Sequence, residues 1–145
     1  MTKICIISGN RAEDGLLRWV IDEVHRASDL ELQLVLTASH MSPEFGLTQQ
    51  EIEAHGYPVA KRIEMLLSSD TKVGVAKSVG LGVIGLSDAI QDLSPDLLVV
   101  LGDRSEILSA ATAAFILGVP ILHIHGGERT DGSIDDVLRH CVTKM

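Results

Sequence analysis

Aromatic residues are almost missing from this chain, which has one Trp, one Tyr and two Phe among 145 residues. Its core must therefore be aliphatic, and a hydrophobic content of 46% supplies enough material for one domain. Cysteine is equally scarce. Cys5 and Cys141 make no paired framework, which excludes a disulfide-stapled scaffold and a cysteine-rich metal site and leaves two reduced, small hydrophobes. Positive charge is short as well, with 12 Lys and Arg against 20 Asp and Glu and a net charge of −8. That balance argues against nucleic acid or a membrane as partner, although a local group of arginines could still hold a phosphate. No apolar run reads as long enough to span a bilayer, and Met1 to Ser8 lacks the basic start, apolar centre and cleavage site of a signal peptide, so a cytoplasmic location is expected. Repeats, linkers and low-complexity stretches are not apparent. Residues 1–145 read as a single domain.

What the chain does have is an alternation of apolar strands and amphipathic helices. Lys3 to Ser8 is a β-branched strand, Gly9-Asn10-Arg11 a turn, and Leu16, Leu17, Val20, Ile21 and Val24 recur at helical spacing over Ala12 to Ala27. Leu30 to Thr37 reads as a second strand, Thr48 to His55 as a short helix and Val59 to Ile63 as a third strand. From Thr71 the apolar positions Val73, Ala76, Val79, Val83, Leu86, Ile90 and Leu93 keep steps of three or four, a long helix ended by Pro95. Leu97 to Leu101 is a continuous apolar strand, Ile107 to Leu117 a helix and Pro120 to His125 a last strand. Ser133 can cap a helix bearing Val137, Leu138, Cys141 and Val142, with Asp135 and Asp136 in its first turn, where the helix dipole favours negative charge. This order predicts an α/β fold, a Rossmann-like doubly wound parallel sheet covered on both faces.

Three polar turns follow strands: Gly9-Asn10-Arg11, Gly102-Asp103-Arg104 and the stretch from His123 to Arg139. Parallel strands place their carboxyl ends on one edge, where ligands bind in such sheets, so Arg11, Asp103, Arg104, His125, Glu128 and Asp135 can converge. Arg11, Arg104 and Arg139 would there form an anion site; taken one at a time, each reads as a surface ion pair. His123, His125 and His140 permit a metal by spacing, but no cysteine-rich or HExxH pattern accompanies them, and no metal is expected. His123 reads as structural and His125, nearer the strand end, as catalytic. Gly80-Leu81-Gly82-Val83-Ile84-Gly85 matches the GxGxxG fingerprint, with Asp103 about 20 residues later, as that fingerprint asks. The fingerprint requires a preceding strand, whereas Thr71 to Val79 is helical in period, so close helix packing is favoured over a dinucleotide. Glu13, Asp14, Glu44, Glu51 and Glu53 read as solvated charges.

Four segments together resemble the hydrolysing UDP-N-acetylglucosamine 2-epimerases of sialic acid biosynthesis and relatives acting on UDP-N,N'-diacetylbacillosamine in legionaminic acid biosynthesis. They are Ser8-Gly9-Asn10-Arg11-Ala12-Glu13, His40 with Phe45-Gly46-Leu47-Thr48, Leu101-Gly102-Asp103-Arg104, and His123 to Met145 with its HIHGGE and DDxxRHxxTK patterns. The resemblance implies the N-terminal domain of a two-domain GT-B-type enzyme, with UDP held mainly by a second, C-terminal domain that this chain does not contain. It implies a reaction without cofactor: loss of the C2 proton, elimination of UDP to a 2-acetamidoglucal, and hydration to N-acetylmannosamine or its diacetamido analogue. Asp103, Glu128 and Asp135 would be the catalytic carboxylates. His125 would share proton transfer, since related non-hydrolysing epimerases carry a glutamate there. Arg104, Arg139 and His40 would contact substrate and Arg11 its phosphates. Further partners implied are the C-terminal domain and other copies of the chain in a homo-oligomer. Asp14 departs from the family, which has an aromatic residue at that place. A non-catalytic nucleotide- or partner-binding half-domain is the reading from another class.

Overall fold

The computed structural model describes residues 1–46 and 48–145. Leu47, quoted above within the Phe45 to Thr48 segment, lies outside the described residues. The elements run β1 (Thr2–Ser8), α1 (Arg11–Arg26), β2 (Leu30–Thr37), two 3-10 turns (Ala38–Met41 and Pro43–Phe45), α2 (Gln49–Ala54), β3 (Val59–Ile63), α3 (Lys72–Leu93), β4 (Leu97–Leu101), α4 (Ser105–Leu117), β5 (Ile121–Ile124) and α5 (Ile134–Lys144).

All five strands are parallel, in the order β3-β2-β1-β4-β5. The chain runs outward from β1 through β2 to β3, then returns to the other side of β1 with β4. The reversal between β1 and β4 is the topological switch point, where such sheets open a crevice at the carboxyl ends of their strands. Gly9 to Arg11 and Gly102 to Arg104 meet there.

Strand alternation divides the core into two layers. Cys5, Ile7, Val35, Leu98 and Val100 face Leu86 and Ile90 of α3, Ile107, Ala110 and Ala114 of α4 and Val142 of α5. Ile4, Ile6, Leu34, Leu36, Val99 and Leu101 face Leu17, Ile21 and Val24 of α1 and Ile52 of α2. The expected α/β sheet covered on both faces is what forms. Cys5 is fully buried and burial pushes its thiol up to about 12, as a hydrophobe would have it, whereas Cys141 is exposed and both are free.

Three features differ from the sequence reading. First, β5 stops at Ile124 because His125 adopts a left-handed backbone (φ 59°), which turns the chain out of the sheet. Second, α3 has the length and hydropathy of a membrane-crossing helix, contrary to the reading that no segment does. Its buried positions Gly82, Leu86, Ala89 and Ile90 nevertheless lie within the protein. Third, Glu13 and Asp14 are buried rather than solvated.

The Gly80 to Gly85 motif sits inside α3, so it forms no strand-to-helix turn. A Cβ on Gly82 would lie 2.8 Å from both Met65 Cε and Ser109 Oγ, and one on Gly85 would lie 2.7 Å from Ile63 Cγ2. Close packing against β3, the loop after it and α4 is the reason for these two glycines.

Candidate active site

The site is assembled at the carboxyl ends of β1, β4 and β5. Asp103 follows β4, and its carboxylate accepts a hydrogen bond from Arg139 Nη2 of α5. The other terminal nitrogen of Arg139 donates to the Glu128 carbonyl at 3.0 Å and to Thr130 Oγ1 at 3.2 Å. Arg139 is only 8% exposed, so its guanidinium is a buried hub joining the β4 turn to the loop after β5. A planar fork with fixed donors suits that task better than a point charge. The expectation that Arg139 contacts substrate meets a guanidinium already occupied by the protein.

On that loop, His125 Nδ1 and Glu128 Oε1 lie 2.7 Å apart, both exposed. The hydrogen bond from His125, and then its charge, hold the Glu128 carboxyl below its ordinary range. A histidine and a carboxylate joined in this way can pass a proton, and the left-handed backbone at His125 takes the chain out of the sheet at this point.

The two aspartates at the start of α5 differ. Ser133 Oγ caps the helix by accepting the Asp135 backbone N–H at 3.1 Å, while the Asp135 side chain is exposed and has no polar partner among the described residues. Asp136 accepts the Thr130 N–H at 2.6 Å and lies 3.8 Å from Arg139 and 3.5 Å from His140. The Thr130 bond lowers its pKa first, with His140 and Arg139 adding to the effect. Of the carboxylates expected to converge, Asp103 and Glu128 meet at Arg139, through side chain and backbone respectively. Asp135 does not, and Asp136, read only as a cap, does.

Beside the Asp103 turn lies an open cleft of about 640 Å³, lined by Arg11, Phe45, Leu66, Ser69, Arg104 and Glu106 among others. Arg11 is exposed and lies 3.3 Å from Glu51, and Arg104 Nε donates to Glu106 Oε1 at 3.2 Å with most of its side chain in solvent. Two exposed guanidiniums in one cleft fit an anion such as a diphosphate. His40 does not reach the cleft. It is fully buried, with Nε2 2.9 Å from Ser8 Oγ and Nδ1 2.6 Å from Thr48 Oγ1, and burial lowers its pKa to about 4. Thr48 and Ser39 on either side of it line the cleft instead.

Glu106 lines this cleft, whereas Glu13 is buried beside the Gly9-Asn10 turn and is not among the lining residues. Asn10 caps α1 by accepting the Glu13 N–H at 3.0 Å, and Glu13 Oε2 reaches back to the Gly9 N–H at 2.9 Å. The Asn-x-x-Glu spacing is close to a capping box, so the sequence did carry a signal. Glu13 Oε1 is buried without a partner among the described residues, and burial, then the charge of Glu106, raise the Glu13 pKa to about 7. Nothing in the local pattern around Glu106 marks it as 3% exposed.

The three histidines after β4 have separate partners: His125 with Glu128, His140 with Asp136, and His123 with Gly102 O and Thr143 Oγ1. His123 holds the strand ends together, as its structural reading expects.

The parallel α/β order, with an arginine-lined cleft where the sheet reverses, defines a Rossmann-like domain. The chain belongs to the UDP-N-acetylglucosamine 2-epimerase family, whose model matches residues 22–145. It is 47% identical over 143 residues to the GDP/UDP-N,N'-diacetylbacillosamine 2-epimerase (hydrolyzing) of Campylobacter jejuni, covering 99% of this chain and 37% of that protein. It is 35% identical to the UDP-N,N'-diacetylbacillosamine 2-epimerase (hydrolyzing) of Legionella pneumophila, with 99% and 38% covered. Against the UDP-N-acetylglucosamine 2-epimerase of Neisseria meningitidis serogroup B the identity is 30%, with 100% and 37% covered. The chain thus spans under two fifths of the length of these relatives. The crystal structure of UDP-GlcNAc 2-epimerase from Neisseria meningitidis bound to UDP-GlcNAc shares the fold at a TM-score of 0.80 and 21% identity, over 98% of this chain and 38% of that one.

Proposed function

We propose that this domain supplies the proton-transfer half of a hydrolysing UDP-sugar 2-epimerase. The observation that carries the reading is the Asp103–Arg139 pair tied to the loop bearing His125 and Glu128, next to a cleft holding Arg11 and Arg104.

In this reading a base removes the C2 proton of the sugar, and the electrons form a C1–C2 double bond as the C1–O bond to UDP breaks. Water then adds, its hydroxyl to C1 and a proton to C2 from the opposite face, giving the inverted free sugar and UDP. Asp103 and the His125–Glu128 pair are the proton carriers, and Asp135, exposed and without a side-chain partner among the described residues, is a further carboxylate available to substrate. Arg11 and Arg104 stabilise the departing diphosphate. Arg139 and His40 act through the groups they hold. The uridine contacts belong to a second domain of the kind that makes up the remaining length of the relatives.

Sequence reading alone put UDP-N-acetylglucosamine first. The 47% and 35% identities to enzymes named for UDP-N,N'-diacetylbacillosamine favour the diacetamido sugar. The test is a chimaera of residues 1–145 with the remaining length of the Campylobacter jejuni relative, assayed with both nucleotide sugars in D₂O. Release of UDP together with a free sugar carrying deuterium at C2 is the expected result. If the intact relative turns over and the chimaera releases UDP from neither sugar, the proposal fails.

A further inference from the structure

His123 makes one contact that fixes its chemistry. Its Nε2 lies 2.7 Å from the Gly102 carbonyl oxygen, which can only accept, so Nε2 carries a proton. In the neutral ring Nδ1 must then accept, and its partner 2.9 Å away is Thr143 Oγ1. The Thr143 hydroxyl therefore donates to the ring, and its lone pair receives the Gly127 N–H at 3.2 Å. The result is a directed chain from Gly127 N–H through Thr143 and His123 to Gly102 O. Gly102 immediately precedes Asp103, and Gly127 immediately precedes Glu128. The Gly102 N–H in turn donates to Ile124 O at 3.1 Å, so the turn is anchored to β5 from both sides.

A second observation comes from Gly126. A Cβ there would lie 2.8 Å from His123 Nδ1 and 3.0 Å from Thr143 Oγ1, so a side chain would wedge into the same relay. Space at this point is reserved for the hydrogen bond itself.

We propose that His123 and Thr143 are positioning residues that set the separation of the Asp103 turn and the His125–Glu128 loop through this one-way relay. Neither touches a reacting atom. Arg139 joins the same two segments from the Asp103 carboxylate to the Glu128 carbonyl; the His123–Thr143 relay joins the Gly102 carbonyl to the Gly127 N–H and fixes register. The catalytic consequence rests on the epimerase reading, whereas the relay does not.

Two measurements separate them. In the labelled 145-residue chain, long-range proton–nitrogen NMR should show His123 as a single Nε2–H tautomer. Thr143→Val should perturb amide signals at both Gly127–Glu128 and Gly102–Asp103, while Thr143→Ser, which keeps the hydroxyl, leaves Gly102–Asp103 as in the wild type. An Nδ1–H or averaging tautomer, or Thr143→Val effects confined to Gly127 and α5, overturns the relay. In the chimaera, Thr143→Val should lower kcat roughly tenfold with KM changed by less than about twofold, the loss of one hydrogen bond's worth of alignment. Thr143→Ser should recover most of that rate. A fully active Thr143→Val chimaera removes the positioning role, and an inactive wild-type chimaera counts against the epimerase reading while the NMR result still decides the relay.

Discussion

The Arg139 guanidinium of α5 donates to the Asp103 carboxylate behind β4, with 10% and 21% of the two side chains exposed. Removing either partner strands a charge in a poorly hydrated place, which costs about 3 kcal/mol for a buried pair. Arg139→Met and Asp103→Asn should each destabilise by about that amount, and the double variant by clearly less than the sum. Urea unfolding of the four proteins measures this, and additive losses would mean that the two side chains do not interact.

Glu13 gives stability a particular pH dependence. Its carboxyl is raised from an ordinary 4.5 to about 7 in the folded protein. Between those values the folded state keeps a proton that the unfolded chain has released. Stability from this group therefore falls as pH rises from about 4.5 to 7 and is level beyond, by up to about 3 kcal/mol. Glu13→Gln keeps an acceptor for the Gly9 N–H and cannot ionise. Relative to the wild type, it should gain stability between pH 5 and pH 8 in urea titrations, and an unchanged difference across that range would show that Glu13 does not hold a proton.

The sheet was legible in the sequence because its signal is local. Apolar runs such as Leu97 to Leu101 and the helical recurrence of Leu17, Ile21 and Val24 depend on neighbours a few residues away. The polar turns after β1, β4 and β5 were legible too, since parallel strands bring their ends to one edge. Which side chains meet there was not. Glu13 and Glu106 face each other across 93 residues of chain, and Arg139 reaches Asp103 across 36. Asp135 and Asp136 are adjacent, and helical phase at the first turn, set by Ser133 and the Thr130 N–H, decides which of them points inward.

The α3 glycines offer a test that does not involve catalysis. Beyond its chain neighbours and its own helix backbone, Gly80 has no described residue within 4 Å of an added Cβ, whereas Gly82 would press on Met65 and Ser109. Gly80→Ala should stabilise the protein by up to about 1 kcal/mol through helix propensity. Gly82→Ala gains the same propensity but must displace packed atoms, and overpacking costs about 1–3 kcal/mol, so its net effect should be neutral to destabilising. Thermal unfolding of both variants checks the opposite ordering, which a dinucleotide-binding role for the motif has no reason to produce.

Asp135 and Asp136 can be separated by one comparison of stability with turnover. Asp136→Asn weakens a short bond from the Thr130 N–H and an ionic contact to Arg139, so it should lower the urea midpoint and slow turnover through the displaced loop. Asp135→Asn breaks no contact of its side chain among the described residues, so stability should stay within about 0.5 kcal/mol of wild type. If Asp135 meets the sugar, the same substitution in the chimaera should cut kcat by roughly a hundredfold or more, the range of a lost acid or base. Full activity of Asp135→Asn would remove this carboxylate from the chemistry and leave proton transfer to Asp103 and the His125–Glu128 pair.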